Sequence, residues 1–434
     1  MSYIEVQGGK KLSGVVHNQS AKNSALALLC ASLMIRGKTT LTELPVIDEV
    51  GKMLVLLQSI GVKIDRPKKD VIVLDTSGKL NLSQIDKEAC KIRSSLFLFG
   101  ALAWREKRYR VYKTGGCKLG NRTVRPHIYA LQKLGIEVKS FDGYYDISVE
   151  KLNSADIVMY ESGDVATENA ILGAIYAPGK TTIKMASANY MVQDLCYFLV
   201  KAGAKIKGIG TTTLEITGVK KLKNSVNYTV MPDPIVAMTY ISIACTTHSN
   251  LTIKNCPLEF LELELCKLEI MGQKFNLKNK RKSKNNKFVV VDVEIIPSEL
   301  NALPDKLECR PFPGLNIDNL PLFIPILTQA KGRTLVHDWV FENRSIYALE
   351  LQKLGAQITL LDPHRIWVEG PTKFAPNEII CPPALRPAVN ILICMLAAPG
   401  KSILRNTEMI DRGYENIYEI LNGIGADIRM VSEK

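Results

Sequence analysis

The sequence predicts an α/β protein of two domains built from six repeats of one helix–strand unit, three units to a domain. Two recurring patterns carry that prediction. LLQSIGVKI (56–64), ALQKLGIEV (130–138), FLVKAGAKI (198–206), KLEIMGQKF (267–275), ELQKLGAQI (350–358) and ILNGIGADI (420–428) share one design. Each reads as the end of an amphipathic helix, a glycine just past its C-terminus, then an alternating strand. The glycines, Gly61, Gly135, Gly203, Gly272, Gly355 and Gly425, stand 68 to 83 residues apart, and the longest interval holds a basic insertion. The second pattern is a strand entered from a glycine or polar turn: GKTTLTEL (37–44), GKTTIKMA (179–186), SNLTIKNC (249–256), GRTLVHDW (332–339) and GKSILRNT (400–407).

Before most of these strands lies an apolar, alanine-rich stretch such as NSALALLCASLM (23–34) or ALRPAVNILICMLAA (384–398). Helices apolar on most sides belong in the interior, so the alternating strands should cover them. A period near 70 exceeds the roughly 20 to 50 residues of solenoid repeats, which favours two closed groups of three. At 434 residues the chain is long enough for two domains of roughly 200 residues. NYTVMPDPIV (227–236), with its proline pair near the midpoint, marks the expected crossing between them.

Composition excludes several classes. Hydrophobic residues at 46% and charged residues at 23% are ordinary for a globular protein. The N-terminal MSYIEVQGGKKLSG has no apolar core of a signal peptide, and no apolar run reaches the ~20 residues of a membrane span. The ten cysteines form no CxxC pair, and Cys30, Cys245 and Cys394 sit in apolar runs as core filler. A cytoplasmic protein without a membrane segment is expected. The net charge is +13, but NLKNKRKSKNNK (276–287) contributes six of it, and without that run the balance falls to +7. A solvated hairpin tip accounts for the run better than a nucleic-acid patch, so no nucleic-acid partner is expected. GKTT lacks the P-loop glycine five residues earlier: Ser32 and Ala174 stand there.

The chemical residues are mostly cations at helix starts. Lys22 and Asn23 open one buried helix, and Arg93, Arg344, Arg386 and Arg412 stand in similar places before others. One basic residue at a helix start is decoration. Five such sites in a repeated protein point to something multiply negative, since helix N-termini and arginines both bind carboxylate and phosphate. Asp318, in FPGLNIDNLPLF (312–323), reads either as a helix cap or as a base toward a hydroxyl. Cys117, in KTGGCKLGNRTVRPH (113–127), lies among glycines and cations rather than apolar residues. Those cations lower a thiol pKa and attract an anion. The five histidines show no metal-ligand spacing, and there is no redox-cofactor motif, so neither metal nor cofactor is expected.

SAKNSAL, GGCKLGNR, FENR, ALRPA and IDRGYE occur in this order along the chain. On these motifs the whole sequence resembles the enolpyruvyl transferases, and among them the branch acting on UDP-N-acetylglucosamine. The cysteine loop is the most specific, since the branch acting on shikimate 3-phosphate has no corresponding cysteine. The resemblance implies an inside-out α/β barrel architecture of the EPSP synthase type. It also implies that residues 22–232 form one domain, inserted into a second made of 1–21 plus 233–434, with the two closing over phosphoenolpyruvate and UDP-N-acetylglucosamine. By the same resemblance, Lys22, Arg122 and Arg412 would hold the phosphate of phosphoenolpyruvate, and Arg344 and Arg386 its carboxylate. Arg93 would shape the closed site. Asn23 and Asp318 would hold the acceptor, Asp318 taking the proton of its 3-hydroxyl, and Cys117 would protonate C3 of phosphoenolpyruvate or trap it covalently.

Several positions depart from that branch. The usual PDRIE reads PDPIV (232–236), Glu161 in YESGDVATEN (160–169) replaces a lysine, Ala384 replaces an aspartate, and Arg125 stands where an aspartate is usual. The phosphoenolpyruvate residues are kept while acceptor residues change. Transfer to UDP-N-acetylglucosamine in peptidoglycan synthesis and transfer to another nucleotide or nucleotide sugar are therefore both open. A nucleic-acid-binding protein or RNA-end enzyme using the basic insertion is the third reading.

Overall fold

A computed structural model describes residues 2–85, 92–113 and 123–432. They divide into two units, one of residues 20–113 with 123–231 and the other of residues 2–19 with 232–432. Each unit holds three helix–strand modules and three sheets.

A module runs as a buried helix, a strand, a second helix ending at a glycine, and a hairpin. In the first unit the first module is the helix Lys22–Ala31, the strand Lys38–Thr42, the helix Asp48–Ser59 and the hairpin Lys63–Lys68/Val71–Asp75. The second has the turn Arg93–Phe97 continuing into the helix Leu98–Ala101, then Arg108–Tyr112, Arg125–Lys133 and the hairpin Ile136–Ser140/Tyr144–Val149. The third has Asp164–Ala174, Lys180–Lys184, Tyr190–Lys201 and Lys205–Lys207/Thr213–Thr217. The other unit repeats the scheme from the helices Pro234–Thr246, Phe323–Leu327 and Leu385–Ala397.

All six repeat glycines have φ between 79° and 106°. That left-handed conformation is open to glycine and strained for other residues, which is why the chain turns from helix to strand at the same residue type each time.

Short parallel strands tie each module to another. Ser225–Thr229 pairs with Lys38–Thr42, Asp156–Val158 with Lys180–Lys184, and Ser13–His17 with Asn250–Pro257. The sixth module takes its last strand from the other end of the chain. Ser2–Gly8 lies between Gly400–Arg405 and Ile428–Ser432, with Ile4 opposite both Leu404 and Met430. This pairing makes the unit discontinuous in sequence.

The first helix of each module is the core. Every residue of Pro234–Thr246 is buried, as are residues 386–396 of Leu385–Ala397 and 166–174 of Asp164–Ala174. The strands alternate: Thr39 and Leu41 are buried while Lys38 is exposed. Helices inside and sheets outside is the inverse of the usual layered arrangement, and the alanine-rich helix sequences suit it because small side chains let helices approach. Cys30, Cys245 and Cys394 are buried in this core, where burial pushes their thiols far up. Among the described residues no helix is long and apolar enough to cross a membrane.

The basic run 276–287 lies in the hairpin of strands Lys274–Lys282 and Val289–Ile296. Its charge is partly matched across the ladder: Lys278 meets Glu294 at 2.9 Å and Arg281 meets Asp292 at 2.9 Å.

Candidate active site

Within the unit of residues 2–19 and 232–432, three of the sequence-selected residues meet. The carboxylate of Asp318, about one-third exposed, has Arg344 Nη1 at 3.5 Å and Arg386 Nη2 at 4.0 Å. Its backbone is set by an Asx turn, with Asn316 Oδ1 accepting from the Asp318 amide at 2.8 Å. The following 3-10 turn Leu320–Leu322 begins from Asn319, with no side-chain cap. The cap reading of Asp318 therefore fails: its carboxylate faces arginines instead.

Both arginines are buried and held from behind. Arg344 donates from Nε to the buried Asp338 carboxylate and from Nη2 to the Ile317 carbonyl at 2.6 Å. Its guanidinium also lies 4.4 Å from the Phe341 ring centre. Arg386 donates from Nη1 to the Tyr414 hydroxyl at 2.6 Å, and that oxygen pairs with Thr239 Oγ1 at 2.8 Å. Since Thr239 Oγ1 donates its own proton to the Ile235 carbonyl at 2.9 Å, the Tyr414 hydroxyl donates to Thr239. Two fixed guanidiniums beside one accessible carboxylate form a grip for an anion next to a group able to take a proton.

Arg412 is half-buried and follows the four-residue helix Glu408–Asp411, five residues ahead of the helix Ile417–Gly423. It does not open a helix, contrary to the sequence expectation. MIDRGYENI breaks into two short helices because Asn416 takes a left-handed conformation, φ 47°. The turn after Arg412 is fixed by Gln19, which donates to the Gly413 carbonyl at 3.1 Å and accepts from the Glu415 amide at 3.0 Å. A Cβ at Gly413 would fall 2.5 Å from Leu385 Cδ2, so any larger residue there requires that leucine end to move.

In the unit of residues 20–113 and 123–231, Lys22 is the first residue of its helix, with Nζ 2.9 Å from Glu49 Oε2. Asn23 donates to the Tyr190 hydroxyl at 3.0 Å. Arg93 opens its 3-10 turn. Near it lies His127, whose pKa is lowered to about 3, first by burial and then by the charge of Arg93. The Asn169 amide donates to His127 Nδ1 at 3.0 Å, which puts the ring proton on Nε2. Behind these groups Asp194 is wholly buried, accepting from Tyr228 at 2.6 Å, and its pKa is pushed up to about 7 by burial. Glu168, also buried, is pushed well above the carboxylate range by burial and by the charges of Asp164 and Asp194.

Cys117 and Arg122 lie outside the described residues. Of the altered positions, Glu161 and Arg125 are exposed, and Ala384 is buried at the N-cap of Leu385–Ala397 without a side-chain cap. Pro234 is the first residue of Pro234–Thr246, where its missing amide proton costs nothing, and Asp233 caps that helix by accepting from Ile235 at 2.7 Å. Sequence reasoning missed Glu49, Asp338, Tyr414 and Gln19. Glu49, Tyr414 and Gln19 act on a predicted residue or its turn from a distant stretch, and Asp338 acts on Arg344 from six residues earlier, with no local pattern to mark any of them. Among the described residues, no three His, Cys, Asp or Glu side chains group as a metal site.

Comparison with known proteins places the whole chain in one family. Residues 6–421 match the family model of EPSP synthase (3-phosphoshikimate 1-carboxyvinyltransferase). The chain is 32% identical to a UDP-N-acetylglucosamine 1-carboxyvinyltransferase of Bacteroides fragilis, covering 99% of this chain and all of that protein. It is 33% identical to one of Treponema denticola, covering 98% of each. Among solved structures, the enolpyruvyl transferase NikO of Streptomyces tendae superposes with a TM-score of 0.87 at 24% identity, over all of this chain and 99% of that one. An EPSP synthase of Acinetobacter baumannii does so with a TM-score of 0.76 at 19% identity, over the whole of both chains. The chain belongs to the EPSP synthase family of enolpyruvyl transferases.

Proposed function

We propose that the chain transfers the enolpyruvyl group of phosphoenolpyruvate to the 3-hydroxyl of UDP-N-acetylglucosamine, releasing phosphate, as its similarly sized relatives are named for doing. The observation that carries the proposal is Asp318 beside the buried pair Arg344 and Arg386. A hydroxyl base next to a two-arginine carboxylate grip is what addition of an alcohol to phosphoenolpyruvate needs.

The chemistry runs as an addition and an elimination. Asp318 takes the acceptor's hydroxyl proton while the oxygen bonds to C2, and C3 gains a proton from the Cys117 thiol. C3 then returns a proton to the Cys117 thiolate as the C2–O bond to phosphate breaks and the phosphate takes the proton held by Asp318, leaving the enol ether and inorganic phosphate. Arg344 and Arg386 hold the carboxylate throughout, and Lys22, Arg122 and Arg412 carry the phosphate's charge. Arg93 and Asn23 shape and hold the acceptor side.

A second reading, transfer to another nucleotide or nucleotide sugar, has its own support. An exposed glutamate at 161 repels a diphosphate, and the apolar Ala384 offers the acceptor no hydrogen bond. Phosphate release from phosphoenolpyruvate, followed with UDP-N-acetylglucosamine and with a set of nucleotides and mass analysis of the product, decides between the two. Fast turnover with UDP-N-acetylglucosamine supports the first, and a preferred different acceptor the second. No release with any acceptor refutes both. Cys117→Ser should lose most activity, because a hydroxyl is a far weaker acid than a thiol, and full activity after complete alkylation of Cys117 would remove it from the mechanism.

A further inference from the structure

The three modules of residues 20–113 and 123–231 bring together the turns that follow their buried helices. Arg36 comes from the first turn, Trp104 and Arg105 from the second, and Tyr176 from the third. The rings of Trp104 and Tyr176 stack with centroids 4.4 Å apart at 25°. The guanidiniums of Arg36 and Arg105 each lie 5.4 Å from the centre of the Trp104 ring. Tyr176 donates its hydroxyl proton to the Met34 carbonyl at 2.5 Å, and Arg105 donates from Nη2 to the carbonyls of Thr76 at 2.9 Å and Gly78 at 3.1 Å.

Two features of this cluster are out of balance. Trp104 Nε1 and Arg105 Nη1 are buried donors with no acceptor among the described residues. A buried donor left unmatched costs about 1–3 kcal/mol, more when charged, so such atoms mark the place of an unseen water or ion. The charges are unbalanced as well. Arg36 and Arg105 are near enough to repel, Arg36 acting after burial to lower the pKa of Arg105 and the Glu106 carboxylate partly opposing it, and among the described residues neither guanidinium forms a salt bridge.

The fold does not require the arrangement. The corresponding turns of the other unit, around Thr247–Ser249, Gln329–Ala330 and Ala398–Pro399, contain no arginine and no tryptophan. One of them carries a cation in the place of Arg36, Lys331 just before Gly332, but none carries an indole. What the cluster adds is donor capacity: an indole N–H, a free guanidinium edge and a second, exposed guanidinium.

We propose that Arg36, Trp104 and Arg105 form a binding site for a small tetrahedral oxyanion, of which inorganic phosphate is the simplest, separate from Lys22 and Arg93 at the opposite ends of the same buried helices. The oxyanion accepts from Trp104 Nε1 and Arg105 Nη1, and Arg36 closes over it from solvent. Tyr176 supports the indole from its other face.

Trp104 is one of three tryptophans, so it reports on its own site once Trp339 and Trp367 are replaced by phenylalanine. Titrating that protein with sodium phosphate, against sodium chloride at matched ionic strength, should give a saturable fluorescence change with phosphate alone. Arg36→Gln should weaken it about tenfold or more, the effect of one charge-assisted hydrogen bond. Arg36 is exposed, which makes this the variant that keeps its fold. If the double phenylalanine protein folds poorly, the difference between wild type and Trp104→Phe in the phosphate-induced change gives the same reading. A nucleoside monophosphate binding no tighter than phosphate supports a site for the free anion. The proposal is overturned if phosphate leaves Trp104 fluorescence unchanged, if the change survives Arg36→Gln intact, or if only the nucleotide elicits it.

Discussion

Asp338 grips Arg344 from behind at Nε, leaving Nη1 of the same guanidinium 3.5 Å from Asp318. Both Asp338 and Arg344 are nearly inaccessible to water. A buried arginine without its acid is strongly destabilised, and a planar guanidinium held on one edge presents the other in a fixed direction. Asp338 is thus a positioning residue for the site, acting through Arg344.

Asp338→Asn keeps the shape and removes the charge. We expect the KM for phosphoenolpyruvate to rise about tenfold or more with a smaller change in kcat, together with a lower unfolding temperature, since breaking a buried ion pair costs about 3–5 kcal/mol. Steady-state kinetics and thermal unfolding check this. Unaltered KM with only a loss of stability would make Asp338 a purely structural partner.

Lys22 and Glu49 pose the converse case. Their side chains are 16% and 6% exposed, with Nζ and Oε2 2.9 Å apart. Lys22→Ala should reduce phosphoenolpyruvate affinity by about tenfold or more, the loss of one charge-assisted contact. Glu49→Gln should keep affinity and lower stability, because it frees the ammonium from its acid while preserving a hydrogen-bond acceptor. Affinity measured by protection against thermal unfolding separates the two. Equal losses in both variants would mean that Glu49 orients Lys22 rather than merely neutralising it.

The modular fold was legible because its signals are local. A glycine at Gly61 or Gly425 is demanded by the φ of one residue, and the alternation in GKTTLTEL is the alternation of faces in one strand. The cations at helix starts were legible for the same reason, except Arg412, where a left-handed Asn416 split what reads as one helix. The partners were hidden. Glu49 is an ordinary first-turn acid until the fold sets it against Lys22, and Asp338, just past the strand Ala330–His337 and six residues before Arg344, has nothing in its own segment to mark that pairing. Each pair lies within one module, but the loop that returns the acid to its cation leaves no fixed spacing to read.

The hairpin of residues 274–296 separates charge from function. Lys280→Ala and Lys282→Ala should leave kcat/KM and stability within experimental error, as exposed lysines contribute little. Asp292→Ala should lower stability by about 1–3 kcal/mol, because its buried carboxylate accepts from the Asn255 amide, Asn279 and Arg281. Urea unfolding and steady-state kinetics test both halves. A drop in phosphoenolpyruvate affinity in the lysine variants comparable with that of Lys22→Ala would reopen the nucleic-acid reading of the basic run.

The last prediction concerns pH and two buried groups that pull in opposite directions. Asp194 has its folded pKa raised to about 7 from an ordinary value near 3.8, so the native state binds the extra proton in that window. Its contribution to stability is complete below about pH 4 and is lost as pH rises through about 7. His127 has its folded pKa lowered to about 3 from 6.5, so the native state holds fewer protons there. Its contribution is present above about pH 6.5 and is lost as pH falls toward 3. Each group changes the unfolding free energy by up to about 1.4 kcal/mol per pH unit, with opposite sign, and between about pH 4 and 6.5 the two offset each other. Asp194→Asn should therefore give a protein whose stability rises with pH across that range more steeply than wild type, and His127→Gln one whose stability falls. Glu168, also raised by burial and by the charges of Asp164 and Asp194, adds to the fall, so Glu168→Gln should gain stability relative to wild type as pH rises. Urea midpoints at unit steps from pH 4 to 9 read all three slopes. Parallel curves for wild type and Asp194→Asn would mean that Asp194 is already ionised in the folded protein at pH 5, and that the Tyr228 and Met231 hydrogen bonds outweigh its burial.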